Sequence, residues 1–184
     1  MSAHSRKMFK TGKPYSFVRH FYDMIQMEDA YKWAERLGFY KIFTANEWAY
    51  VKSKKELKRA RTEGQIPVIL GDKIEKIKGA TWAIGALVDV QTKMDMQAAH
   101  IMKDKGMRAM YTLDWIRERP ENIRFAAKGI RILHKARVPV LLATGAKDVA
   151  CLKAPRDIAA VGVLMGMSVP MAYAAISTNW EGLM

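Results

Sequence analysis

The stretch "PENIRFAAKGIRILHKARVPVLLATG" runs from Pro120 to Gly145. Its first part, 120–137, reads as a helix. Ile123, Ala126, Ala127, Ile130 and Leu133 recur at helical spacing and form one broad apolar face. Pro120 suits the first turn, where a missing N–H costs nothing. The remainder, 138–145, is a short apolar run of the kind that forms a strand buried on both faces. A helix leading into a short, mostly apolar strand is the repeating unit of a parallel sheet covered by helices.

The same alternation extends in both directions. Strands are expected at 21–26, 40–45, 66–71, 83–91 and 107–112, with 138–145 as the sixth, or the seventh if 81–91 hides a break. Helices are expected at 27–38, 52–64 and 93–106, each ended by a glycine, and 73–79 is at most a short helix. The fold class is therefore α/β with six or seven parallel strands joined by right-handed connections. A TIM-barrel-like closure and an open doubly wound sheet both fit. No Gly-rich phosphate loop follows the first strand, so a dinucleotide-binding fold gains no support. No linker divides 21–184, which reads as one domain behind a basic arm at 1–20.

The last elements are written in "KAPRDIAAVGVLMGMSVPMAYAAIS", Lys153 to Ser177. Gly166 and Ser168 mark a stop and a new N-cap, so this apolar run is two helices back to back. Pro155 fits the first turn and Asp157 suits its positive end. Arg156 opposes that end, a small local cost that points to an anionic partner outside the chain.

Charge gives the strongest functional signal. Lys and Arg total 31 against 18 Asp and Glu, for a net charge of +13, which suits a polyanionic partner such as nucleic acid. Arg124, Lys128, Arg131 and Lys135 fall at steps of four, three and four, forming one narrow stripe opposite the apolar face of their helix. A solvated helix usually mixes both signs, so this row suits phosphates. A second cluster, Lys52, Lys54, Lys55, Lys58, Arg59 and Arg61, fits phosphate contact or a plain solvated face. Arg117, Arg119, Lys147, Lys153 and Arg156 sit near strand ends, where ligands of parallel α/β folds bind. The arm at 1–20 interleaves cations with Phe9, Tyr15 and Phe17, which suits backbone tracking and base stacking or a terminus with no role.

Catalytic signals are sparse. The one cysteine, Cys151, allows neither an internal disulfide nor a cysteine metal site, and a reducing, cytoplasmic setting is expected. His4, His20, His100 and His134 lack the spacing of a metal pair. Asp23 and Asp89 lie within strands and could face a barrel interior as a metal-holding or acid–base pair, although capping or ion pairing is the commoner role for such carboxylates. Asp114 sits near a further strand end. No nucleophilic triad can be drawn. No membrane span and no secretory leader are read from the chain.

At Pro155-Arg156-Asp157, followed by the apolar helix through Gly162–Met167 and "PMAYAAIS", the chain resembles archaeal ribonuclease P protein component 3, a family related to a eukaryotic ribonuclease P/MRP subunit. The strand "LLATGAKDV" and the helix carrying Arg124-Phe125, Lys128 and Lys135 match the same pattern. The resemblance is strong over 120–180 and looser over 21–112. It implies a metallophosphoesterase-like barrel that has lost its metal site. It implies a non-catalytic subunit of a holoenzyme whose RNA, using magnesium, removes the 5′ leader from precursor tRNA. The implied partners are ribonuclease P RNA, a smaller ribonuclease P protein and, through the holoenzyme, precursor tRNA. No cofactor is expected on this chain. Arg124, Lys128 and Arg156 carry over as RNA contacts. Arg131, Lys135, Lys147 and Lys153 join them on charge and placement alone. Relative to the family, about one strand–helix unit is missing between 112 and 120, so the barrel is expected to be open or incomplete. The competing readings are a free-standing barrel phosphoesterase and an RNA-binding scaffold outside ribonuclease P.

Overall fold

In the computed structural model every strand pairing among the described residues is parallel. The structure describes residues 20–28, 30–74, 76, 85–91, 93–181 and 183. The expected arm at 1–20 lies, apart from His20, outside them, as do 83–84 of the fourth expected strand and most of 73–79.

The chain runs through β1 (Tyr22–Met24), α1 (Tyr31–Leu37), β2 (Lys41–Phe43), β3 (Trp48–Tyr50), α2 (Lys54–Thr62), β4 (Ile66–Leu70), β5 (Leu87–Asp89), α3 (Met96–Asp104) and β6 (Arg108–Thr112). It continues through α4 (Leu113–Glu118), α5 (Asn122–Ala136), β7 (Val140–Ala143), α6 (Pro155–Leu164) and α7 (Val169–Ala175). Each expected strand and each long expected helix has a counterpart, usually shorter by a few residues at its ends.

Two elements were not expected. The segment between the second strand and α2 holds β3. Glu47 folds back so that its carboxylate accepts from Thr44 N at 2.9 Å, and this turn redirects the chain onto β4. A polar "TANE" between two three-residue strands looks like a loop until a partner strand stands beside it. The helix α4 leaves β6 with no connecting residue and no side-chain cap, so nothing local announces it. The two closing helices are present, and the Ser168 hydroxyl accepts from Met171 N as the N-cap of α7.

The strands form a two-stranded sheet, β1-β2, and a five-stranded sheet in the order β3-β4-β5-β6-β7. Hydrogen bonds also join the two. Gly145 N donates to Met24 O at 3.0 Å and Gln26 N to Ala146 O at 2.9 Å, tying the exit of β7 to the exit of β1. Gly145 takes φ +63° there, and a side chain would also press on Thr112 at 2.9 Å. The strands thus run from β1 to β2, on through the 44–47 turn to β3 without strand pairing between β2 and β3, across the sheet to β7 and back to β1 through the bonds at their exits. This arrangement is compatible with a barrel-like α/β fold.

Alternation along the strands separates two apolar clusters, because successive side chains point to opposite faces. Tyr22, Met24, Val68, Leu87, Met110, Leu141 and Ala143 share one cluster. Ile69, Val88, Ala109, Tyr111 and Leu142, each one residue out of step, pack with the helices in the other. Trp180, fully buried, belongs to the first cluster. Its ring stacks on Phe43 at 5.7 Å and on Tyr22 at 6.4 Å between centroids.

The tail after α7 is pinned to strand beginnings. Tyr22 N donates to Ile176 O, Asn179 Nδ2 to Val140 O, and the Arg108 guanidinium to Glu181 O. The tail therefore occupies the amino ends of β1, β6 and β7 and leaves ligand access to their carboxyl ends.

Candidate functional site

Helix α5 is fifteen residues long and contains no acidic residue. Its buried side, Ala126, Gly129, Ile130, Leu133 and Ala136, anchors it. Arg124, Lys128, Arg131 and Lys135 are all exposed on the opposite side. Among the described residues none of these four forms an ion pair. At 1.5 Å rise per residue the row spans about 16 Å. Phe125 flanks it with 46% of its surface exposed. The helix ends without a glycine. Arg137 itself adopts the left-handed conformation, φ 61°.

Lys147, Lys153 and Arg156 do not join that row. Arg117 and Lys147 meet at the carboxyl ends of β6 and β7, and Lys153 lines the same cavity as Arg117. Asp114, buried in the first turn of α4, is the hub. Its carboxylate accepts from Arg117 at 2.5 Å and from Lys147 at 2.9 Å. Lys147 also reaches Glu118 at 2.8 Å, and its pKa is raised by Asp114 first and Glu118 second. The charge of Lys147 is thus engaged within the fold. Arg117 spans from Asp114 to the Cys151 sulfur. Lys153 has only a long contact, 3.4 Å, to Ala150 O. Arg156 is exposed at the start of α6, whose N-cap, Ala154, offers no side-chain cap.

Between α4 and α6 lies a cavity of about 250 Å³. Leu113, Ile116 and Val161 supply apolar walls, Arg117 and Lys153 supply positive charge, and the Asp114 carboxylate, paired with Arg117, also lines it. Leu113 directly follows β6, and Thr144, also lining it, directly follows β7.

The two strand aspartates have separate structural partners. Asp23, fully buried, accepts from Thr144 N at 2.6 Å, from Thr144 Oγ1 at 2.5 Å and from Met24 N at 2.8 Å. It clamps β1 to the end of β7. Burial pushes its pKa up to about 7, and the three donors only partly oppose that shift. Asp89 accepts from Tyr50 Oη at 2.7 Å and Gln91 Nε2 at 2.8 Å, while its Oδ1 is buried without a partner. Its pKa is raised by burial. Among the described residues no group of three His, Cys, Asp or Glu could hold a metal ion. The basic cluster of α2 lies on an exposed surface, where Arg59 pairs with Glu63 at 2.8 Å.

No protein-family model matches the chain, and no curated protein matches it. No helix of the described residues is long and apolar enough to cross a membrane.

The four cations lie on one exposed side of α5, as their spacing predicts, since one helix carries them. The Asp114 hub and the α4–α6 cavity were not legible, because their residues come from segments some thirty positions apart.

Proposed function

We propose that the chain is a protein subunit of ribonuclease P, a barrel of the metallophosphoesterase-like type that has lost its metal site. In this role it binds the catalytic RNA and helps it fold, so that the RNA can remove the 5′ leader from precursor tRNA. The observation that carries the reading is the row Arg124, Lys128, Arg131 and Lys135, exposed on a helix with no acid. Cations held on a rigid element can displace the condensed counterions of RNA and screen repulsion between its strands. The resemblance over 120–180 supplies the rest of the reading.

The chemistry belongs to the RNA and its magnesium. The chain contributes electrostatics. Lower magnesium is then needed to hold the folded RNA, because part of its charge is already neutralised. Lys153 and Arg156, both exposed after β7, would add further phosphate contacts.

Reconstitution tests this. The purified chain is mixed with ribonuclease P RNA and the smaller protein, and precursor tRNA cleavage is followed at limiting magnesium. The chain should increase cleavage, and neutralising Arg124, Lys128 and Arg131 together should reduce the gain. If the chain binds RNA but leaves cleavage unchanged, the scaffold reading replaces this one. Phosphoester turnover by the isolated chain would instead favour a hydrolase.

A further inference from the structure

The cavity between α4 and α6 has a use that surface charge alone does not give it. We infer that it is a single-nucleotide site, with the base held between Leu113, Ile116 and Val161 and its phosphate held by Arg117 and Lys153. This rests on the RNA reading above and adds a place where one nucleotide leaves the strand. The ligand chemistry is that of a nucleoside monophosphate, whether part of single-stranded RNA or free.

Position argues for a ligand first. The cavity opens at the carboxyl ends of two adjacent parallel strands, where ligands of α/β folds bind. The opposite ends are occupied by the tail around Trp180. Size comes next. Pockets for drug-sized molecules run to roughly 300–1,000 Å³, and about 250 Å³ suits a smaller group, such as one base.

The lining fits both halves of a nucleotide. Aliphatic side chains accept the flat face of an unstacked base. Arg117 has five N–H donors and needs only part of them for Asp114 and Cys151, and Asp114 fixes the guanidinium plane. Lys153 is exposed and almost unengaged, so its ammonium can turn to a phosphate.

Cys151 makes the test direct, because it is the only cysteine and it lines the cavity. Its alkylation by N-ethylmaleimide is timed by mass spectrometry in three conditions: the chain alone, with a single-stranded oligoribonucleotide, and with millimolar AMP or UMP. RNA affinity is measured separately by fluorescence anisotropy. Alkylation should slow several-fold with RNA or with a mononucleotide. Val161→Phe, which fills the cavity, should abolish protection and weaken RNA binding several-fold. Lys153→Gln, on the exposed rim, should reduce mononucleotide protection in a chain whose fold is untouched. Protection by AMP or UMP without RNA binding would identify a free nucleotide as ligand and remove the RNA reading alone. RNA binding with unchanged Cys151 alkylation and full affinity in Val161→Phe overturns the site and leaves the RNA reading standing. Absence of both RNA binding and nucleotide protection overturns the two together.

Discussion

Replacing Arg124, Lys128, Arg131 and Lys135 with Gln should flatten the salt dependence of RNA binding. All four side chains are exposed, and no ion pair among the described residues uses them. Gln is a good helix former, so stability should change by less than about 0.5 kcal/mol per site. Each phosphate contact on a single strand contributes about 0.7 to the slope of log affinity against log salt. If the row meets one phosphate per cation, it accounts for nearly three units of slope. A tenfold rise in salt would then cost the native chain roughly a thousandfold in affinity through this row alone. The assay is fluorescence anisotropy with a labelled single-stranded oligoribonucleotide at about 50 to 500 mM KCl, across the range where screening changes most. A thermal melt of the variant checks the fold. A variant with the native slope would show that the row meets no phosphates and that another cluster, such as that of α2, carries any RNA contact.

Three further outcomes test the fold. Asp23 has a folded pKa of about 7 against about 3.9 for an unfolded Asp, so the folded chain binds the extra proton between those values. Stability should therefore fall as pH rises from about 4 to 7, by at most about 4 kcal/mol from this group, and Asp23→Asn should reduce that dependence in urea titrations. Equal pH dependence in both proteins would count against it. Gly129→Ala should destabilise by about 1–3 kcal/mol despite Ala's better helix propensity, because the new methyl would lie 2.1 Å from Tyr111 Oη. Adding Tyr111→Phe should recover much of that loss, and a Gly129→Ala chain more stable than the native one would refute the clash. Trp180→Ala should cost about 3–5 kcal/mol in a thermal or denaturant melt, since it removes the buried ring that stacks on Phe43 and Tyr22 and the bond from Nε1 to Ala175 O. An unchanged melt would mean that the tail does not close that end.

Particular residues show where reading from sequence stops. The run 138–145 declares itself a buried strand because every position is apolar or small, and β7 is there. The α5 row is equally legible, since spacing on one helix determines which side chains align. By contrast, Asp23 and Asp89 look alike in the sequence, two carboxylates on strands. Asp23 becomes a clamp because Thr144, more than a hundred positions away, arrives beside it. Asp89 meets Tyr50 instead, from a strand that no local pattern announced. Lys147 and Lys153 are equally available by sequence, but in the fold Asp114 and Glu118 lie against Lys147.

Local periodicity, charge and turn residues thus determined the class of fold, most of its elements and the alignment of the four cations along α5. These depend on neighbours within a few positions, which the chain itself specifies. The tertiary structure alone decided how β1 meets β7, how Trp180 fills one end and how Leu113, Arg117, Lys153 and Val161 enclose a cavity at the other. Those depend on contacts between distant segments, and only packing selects among the many partners that a buried aspartate or a free cation could find.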